Sequence, residues 1–422
     1  MMRARSFQGL LCTGLLALTG SAQAVDWTVS GFGTVGYAVS DQDWTYQGHI
    51  DDDGTVWRDT RLGAQLDARF TPTWSATLQL TLAPSTRHDR RWAAEVAWAF
   101  AAWRPDNDWQ VRAGKQRVPM FLNSENLDVG QTYALARLPV EVYALSPTND
   151  FTGLSLTRTW QRGAGELSAD VYGGRAQINV RGHSSDLGSS YRSTDTDLAG
   201  AVLTWRAPAL TWRLGAHHAR SKLANGQPLP KDFPFVDLGG GLGYYRVSDA
   251  LPGAVPVPTT DAIVNQVLNL AVDAELAPKW RVVAEFARVF QRRTSLGTDL
   301  AGAYLAVLHD MGEVTPYVLV ARQQSMGPGR LIAKRLRAAA DLGLDPALSV
   351  AQRAAAETAV QVYDQTSLGV GAAWAVGPRS QLKAEWVHTR IGEGSALIDS
   401  PRGQRVHDDS VQVWSLNYSF AF

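Results

Sequence analysis

Apolar and polar residues alternate with a period of two along most of this chain. From Arg58 onward, Thr60, Leu62, Ala64, Leu66, Ala68 and Phe70 share one parity, while Asp59, Arg61, Gly63, Gln65, Asp67 and Arg69 share the other. A helix cannot sort those two sets onto opposite faces. A strand does so because successive side chains point to opposite sides. The next stretch repeats the pattern, with Trp74, Ala76, Leu78, Leu80 and Leu82 against Ser75, Thr77, Gln79 and Thr81. Thr71-Pro72-Thr73 between the two is a tight turn, so the pair predicts a hairpin.

Carried to the end of the chain, the alternation predicts about sixteen strands, near 26–40, 57–70, 74–83, 92–103, 109–118, 151–161, 166–177, 195–206, 210–220, 262–276, 280–291, 299–309, 314–324, 363–375, 380–391 and 410–422. The connections carry a second, independent pattern. Those after odd strands are long or irregular, at 41–56, 84–91, 119–150, 178–194, 221–261, 292–298, 325–362 and 392–409. Those after even strands are short, for example Pro105 to Asp108, Ala207-Pro208-Ala209 and Ala277-Pro278-Lys279. A soluble sandwich has no reason to segregate its long loops in this way. A transmembrane antiparallel β-barrel does, with short periplasmic turns at one rim and long outer loops at the other. The expected fold class is therefore all-β, a barrel over residues 25–422.

The ends of the chain agree with that expectation. Met1 to Arg5 is basic, Leu10 to Leu18 is apolar, and Ala22-Gln23-Ala24 offers the small-x-small pattern of a cleavage site. Residues 1–24 thus read as a signal peptide cleaved near Ala24, since the apolar run is about half the ~20 residues a spanning helix needs. At the other end Trp414, Leu416, Tyr418, Phe420 and Phe422 hold one parity against Ser415, Asn417, Ser419 and Ala421. An aromatic face of this kind at a free terminus is an aggregation hazard in water.

Composition changes the picture in three respects. The 40 Lys and Arg balance the 40 Asp and Glu, and removal of Arg3 and Arg5 with the signal leaves 38 against 40, so nothing argues for a nucleic-acid partner. The single cysteine, Cys12, lies in the signal, so no disulfide or cysteine-bound metal is expected in the mature chain. Fifteen Trp and 38 Gly suit a barrel, which places aromatics at the membrane interfaces and glycines where strands bend.

The Ser30-Gly31-Phe32-Gly33 first strand, the sixteen-strand layout and the Asn417-Tyr418-Ser419-Phe420-Ala421-Phe422 terminus together resemble the Gram-negative outer-membrane porins. The resemblance covers nearly all of residues 25–422 and implies a water-filled channel for passive diffusion of small hydrophilic solutes or ions. It also implies a bacterial outer-membrane location among lipid and lipopolysaccharide, and a homotrimer. Trp414, Tyr418, Phe420 and Phe422 would then be the signal read by the barrel-assembly machinery. The chain departs from general porins in lacking a Pro-Glu-Phe-Gly-Gly type motif in the third outer loop.

In porins that loop folds into the lumen, so segment 119–150 is the candidate constriction, with Glu125, Asp128, Arg137, Glu141 and Asp150 as its charged residues. Wall bases of lumen parity are Arg61, Arg69, Arg112, Arg213, Arg281 and Lys383. Opposed acids and bases across a narrow aqueous gap would sort solutes by charge. The competing reading is local pairing on the wall, Arg281 with Glu285 and Lys383 with Glu385. Taken together, the lumen charges indicate no ion preference. Segment 325–362 is Ala-rich, with Asp345-Pro346 as an interruption, and reads as a partly helical outer loop. Arg87, Arg90 and Arg91 are candidates for lipopolysaccharide phosphates. The acidic turn Asp51-Asp52-Asp53-Gly54 lacks the spacing and distal Glu of a calcium loop, and His217-His218 places one imidazole on each strand face. No metal and no cofactor is therefore expected. Other functional classes are a barrel enzyme of lipase or protease type and an adhesin-like barrel with a plugged lumen. No Gly-x-Ser-x-Gly or His-Glu-x-x-His motif is present to supply catalytic residues.

Overall fold

The computed structural model describes residues 25–85, 87–89, 91–146, 148–297 and 299–422. The expected signal peptide and Arg90 lie outside the described residues. Sixteen antiparallel strands close into a barrel: β1 (Asp26–Ser40), β2 (Arg61–Arg69), β3 (Trp74–Pro84), β4 (Trp92–Trp103), β5 (Trp109–Arg117), β6 (Asp150–Arg162), β7 (Gly165–Ser184), β8 (Gly188–Ala207), β9 (Leu210–Leu223), β10 (Ile263–Ala277), β11 (Trp280–Arg292), β12 (Leu300–His309), β13 (Val314–Ser325), β14 (Tyr363–Gly377), β15 (Ser380–Ser395) and β16 (Asp409–Ala421). Each strand pairs with its sequence neighbours, and β1 pairs with β16 to close the ring. Closure leaves no unpaired edge, which is what an element in hydrocarbon requires. Among the described residues no helix is long and apolar enough to cross a membrane, and the chain crosses with strands instead.

The outer surface shows why these residues form these strands. Along β3, Trp74, Leu78, Leu80 and Leu82 are exposed while Gln79 between them is buried toward the lumen. Trp27, Trp74, Trp103, Trp280 and Trp374 stand exposed at the short-turn rim, and Trp74 stacks on Trp103 at 6.2 Å between centroids. Toward the opposite rim come Tyr37, Trp92 and Trp414. Two aromatic girdles about an apolar band are what a barrel presents to a bilayer. At the seam, Phe422 exchanges backbone hydrogen bonds with Gly31 at 2.9 and 2.8 Å, and its ring covers that glycine. A Cβ at Gly31 would sit 2.2 Å from the ring, so the last residue of the chain seals the barrel only over a glycine.

The strand pattern departs from expectation in two places. The second strand begins at Arg61 rather than 57, because Arg58 and Asp59 belong to the loop before it. The fourth outer connection, expected as an irregular segment 178–194, is instead a protruding hairpin. β7 and β8 stay paired up to Ser184 and Gly188, leaving a three-residue tip. This hairpin is part of a roof of loops. Arg181 donates to Asp89 at 2.8 and 3.1 Å and to Asp399 at 2.7 Å, and Tyr191 reaches Asp89 at 2.5 Å. Burial would raise the Asp89 carboxyl, but the hydrogen bonds from Arg181 and Tyr191 outweigh it and bring the pKa down to about 2. In segment 326–362 two helices form, α1 (Gly329–Asp341) and α2 (Pro346–Thr358). The Asp345 side chain caps α2 by accepting from Leu348 N–H at 3.0 Å, with Pro346 at the first helical position, as capping physics favours. Glu357 and Arg353 of α2 hold the hairpin tip through Ser185 and Asp186.

Candidate functional site

The third outer loop, residues 118–149, does not rise with the roof but enters the barrel. Its path follows from three kinds of contact with the wall. Two glycines permit backbone to meet backbone or short side chains. A Cβ on Gly302 of β12 would lie 2.0 Å from the Glu141 carbonyl oxygen, and one on Gly130 would lie 2.6 Å from the hydroxyls of both Thr34 and Ser419. Apolar packing follows. Met120, Phe121, Leu135, Val142 and Leu145 of the loop bury against inward-facing Val283, Leu300, Tyr304, Tyr317 and Leu319 of β11–β13. Polar anchors complete the seat. Lys383 donates to the carbonyls of Gly130 at 2.5 Å and Leu135 at 3.1 Å, and its ammonium lies 4.3 Å from the Tyr133 ring centre. Glu285 accepts from Leu122 N–H at 2.9 Å and from the Tyr143 and Tyr304 hydroxyls at 2.7 and 2.8 Å.

The charged residues sort into three groups. Those the loop brings together with the wall are Arg61 with Asp128 at 2.7 Å and Arg112 with Glu125 at 3.1 Å, and with the first outer loop Arg137 with Asp59 at 2.8, 3.0 and 2.7 Å. Arg117 also binds Asp128. Glu141 is buried rather than poised across a gap, accepting from Gln365 at 2.8 Å and from Ser367. Arg213 is likewise spent on the loop, donating to the Pro119 carbonyl at 2.6 Å. A third group stands outside the constriction. Arg69 is exposed at the short-turn rim, opposite Asp26 in the β1–β2 register. Asp150 is the first residue of β6 and pairs with neighbouring Lys115 at 3.4 Å.

The wall pairings anticipated within strands give way to others. Arg281 binds Asp273 on β10, diagonally across from it and two residues from its register partner Glu275. Glu285 and Lys383 face the loop, and Glu385 accepts from the Tyr317 hydroxyl at 2.8 Å. The lumen wall is not polar throughout: where the loop docks, the β10–β13 wall is apolar. His217 turns inward, flanked by Tyr172 Oη at 2.7 Å and Asn269 Oδ1 at 2.9 Å, while His218 on the other face is exposed.

Seated across the barrel, the loop borders three spaces in the lumen. Above it lies a chamber of about 760 Å³, whose basic lining residues are Arg58, Arg61, Arg117, Arg181 and Arg192 and whose acids are Glu95 and Asp128. Beneath the curl of the loop, a cleft of about 240 Å³ is bordered by Arg58, Arg61 and Arg137 with Asp59. Toward the short turns, a space of about 180 Å³ is bordered by Arg206, Arg213 and Arg281 with Asp273. Sequence parity pointed to Arg61, Arg213 and Arg281. It missed Arg58, Arg117, Arg181, Arg192 and Arg206, whose convergence is a property of the closed ring.

The closed barrel, its girdles and its inward loop make this chain an outer-membrane, porin-like β-barrel. Over residues 31–223 it matches the family described as phosphate-selective porin O and P. No curated protein sequence matches it. Among solved structures, in-vitro folded OmpT, an outer membrane protein of Vibrio cholerae, is similar at a TM-score of 0.53 and 10% identity, covering 95% of this chain and 99% of that one. The outer membrane channel DcaP of Acinetobacter baumannii is similar at 0.50 and 11%, with 94% and 97% covered. OmpF of Salmonella typhi, solved with daunomycin, is similar at 0.50 and 13%, with 93% and 97% covered.

Proposed function

We propose that the protein is a passive-diffusion channel with a preference for small anions, inorganic phosphate and organic acids among them. The observation that carries this reading is the excess of guanidinium groups at every level of the lumen. In the outer chamber Arg61 and Arg117 share the single carboxylate of Asp128, and Arg58 and Arg192 make no ion pair among the described residues. Low-dielectric walls focus such a field and raise the local concentration of counter-ions. The family description names phosphate, and the charge balance agrees in sign. The reading is one of transport rather than catalysis, with segment 119–150 as the selective constriction, and it entails no cofactor.

The same reading entails export with cleavage near Ala24, recognition of Trp414, Tyr418, Phe420 and Phe422 by the assembly machinery, and a homotrimer. One solved OmpT structure similar to this chain is described as a trimer form. Arg87 and Arg91, both exposed in the second outer loop, would meet lipopolysaccharide phosphates on this reading.

The test is the zero-current potential of the reconstituted protein across a KCl gradient in a planar bilayer. Chloride should carry most of the current. A cation-selective current would overturn the anion preference, and no current from folded barrel would overturn the channel.

A further inference from the structure

The outer chamber is two-faced, and the strand order shows how. Three of its five arginines, Arg58, Arg61 and Arg117, come from the first outer loop, β2 and β5, and the other two, Arg181 and Arg192, from the rim of β7 and β8. Part of its apolar lining comes from the far side of the ring, with Leu223 at the end of β9 and Ile263 on β10 half-buried there and Val267, Val289 and Leu300 beneath them, and part from the third loop, Val140 and Leu145 among it. A channel for inorganic ions alone gains nothing from an apolar wall. Water bound there is easily displaced by an apolar body, and a space of several hundred Å³ with few convergent polar groups is the usual form of a small-molecule site.

Arg58, like Arg192, makes no ion pair among the described residues. Arg58 is half-buried, and its side-chain hydrogen bond is to Gln47 Oε1 at 3.0 Å. The adjacent Asp59 lends it charge but no hydrogen bond among the described residues, since both carboxylate oxygens accept from Arg137. A partly desolvated guanidinium without a hydrogen-bonded carboxylate is costly, and an incoming anion relieves that cost. Arg58 borders both the outer chamber and the cleft under the loop, so an anion held there stands at the entrance to the constriction.

From this we infer that the outer chamber is a binding site for small organic acids with an aromatic or branched apolar body. The carboxylate lies at Arg58 and the body against the half-buried Leu223 and Ile263. The inference deepens the anion-channel reading and rests on it for the route of the solute, but not for binding.

The experiment is isothermal titration of the detergent-solubilised barrel, folded as judged by heat-modifiable gel mobility. The probes are benzoate, inorganic phosphate and benzyl alcohol, the last two supplying charge alone and ring alone. Benzoate should bind at least about tenfold more tightly than either. Arg58→Gln should lose about tenfold for benzoate, and Ile263→Asn, on the half-buried part of the apolar wall away from the loop's seat, should weaken benzoate while leaving phosphate unchanged. If Arg58→Gln fails to fold, Arg192→Gln takes its place, with a smaller loss expected. Phosphate binding as tightly as benzoate, or folded variants that bind benzoate like the parent, would overturn the site. Conductance in KCl without benzoate binding overturns this inference alone. Benzoate binding without conductance overturns the channel reading and leaves the site standing.

Discussion

Individual residues in this barrel are constrained by which solvent they meet. Leu78 and Gln79 are adjacent, yet Leu78 is 39% exposed on the outer face and Gln79 is 4% exposed on the inner one. Leu78→Arg therefore places a cation in hydrocarbon and should destabilise folding by about 2–4 kcal/mol, while Gln79→Arg should cost far less. Urea titration of refolding into vesicles compares them, and equal midpoints would refute the assigned faces. His49 is constrained differently. It sits in the first outer loop, where burial, reinforced by the Arg58 charge, lowers its imidazole to about 4. Between the ordinary value near 6.5 and about 4, the unfolded chain holds a proton that the folded one refuses. Stability from this group is thus fully present above 6.5 and falls as pH drops through that window. Thermal midpoints of the parent should decline from pH 7 to 4.5, and His49→Gln should flatten the decline. Identical slopes would show that His49 does not titrate as its surroundings imply.

Elements were legible in the sequence to the extent that one face met lipid and the other did not. The β2–β3 hairpin was readable because its period of two is local and its contrast is strong. The upper half of β7–β8 was not, since the hairpin projects beyond the apolar band and Arg181, His183, Tyr191 and Thr194 carry no such contrast. β12 hid a different feature. Its inward residues Leu300, Tyr304, Ala306 and Leu308 are buried by the third loop, yet in sequence they look no different from lipid-facing ones. Gly302 in that row gave no local signal either, although the loop's closest approach depends on it. Gly302→Val should therefore push the Glu141 backbone off the wall and loosen the constriction without touching a charge. Single-channel conductance should rise and its open-channel noise increase. Unaltered conductance would mean that the loop does not set the width of the pathway.

At the scale of the whole molecule, charge that balances along the chain becomes unbalanced in space. The sequence has equal numbers of bases and acids, and from that balance no ion preference could be read. Closing the ring gathers Arg58, Arg61, Arg117, Arg181 and Arg192 around one chamber while leaving Asp52, Asp106, Asp108 and Asp310, among other acids, exposed in loops and turns away from it. Formal charge is additive along a sequence, but a field depends on which charges share a confined volume of water. The resulting selectivity has a distinct salt signature. The screening length is about 10 Å at 0.1 M salt and about 3 Å at 1 M. At the lower concentration the chamber's arginines act on an ion anywhere within it, whereas at the higher one each acts only near contact. The chloride-to-potassium permeability ratio should therefore fall severalfold between 0.1 and 1 M KCl, approaching the near-equal ratio of bulk mobilities. Neutralising Arg192, exposed and without an ion pair among the described residues, should lower the ratio at 0.1 M and leave it unchanged at 1 M. A ratio independent of salt would point instead to a contact site, with Arg58 as its centre, and would move selectivity from the field of the chamber to a single guanidinium.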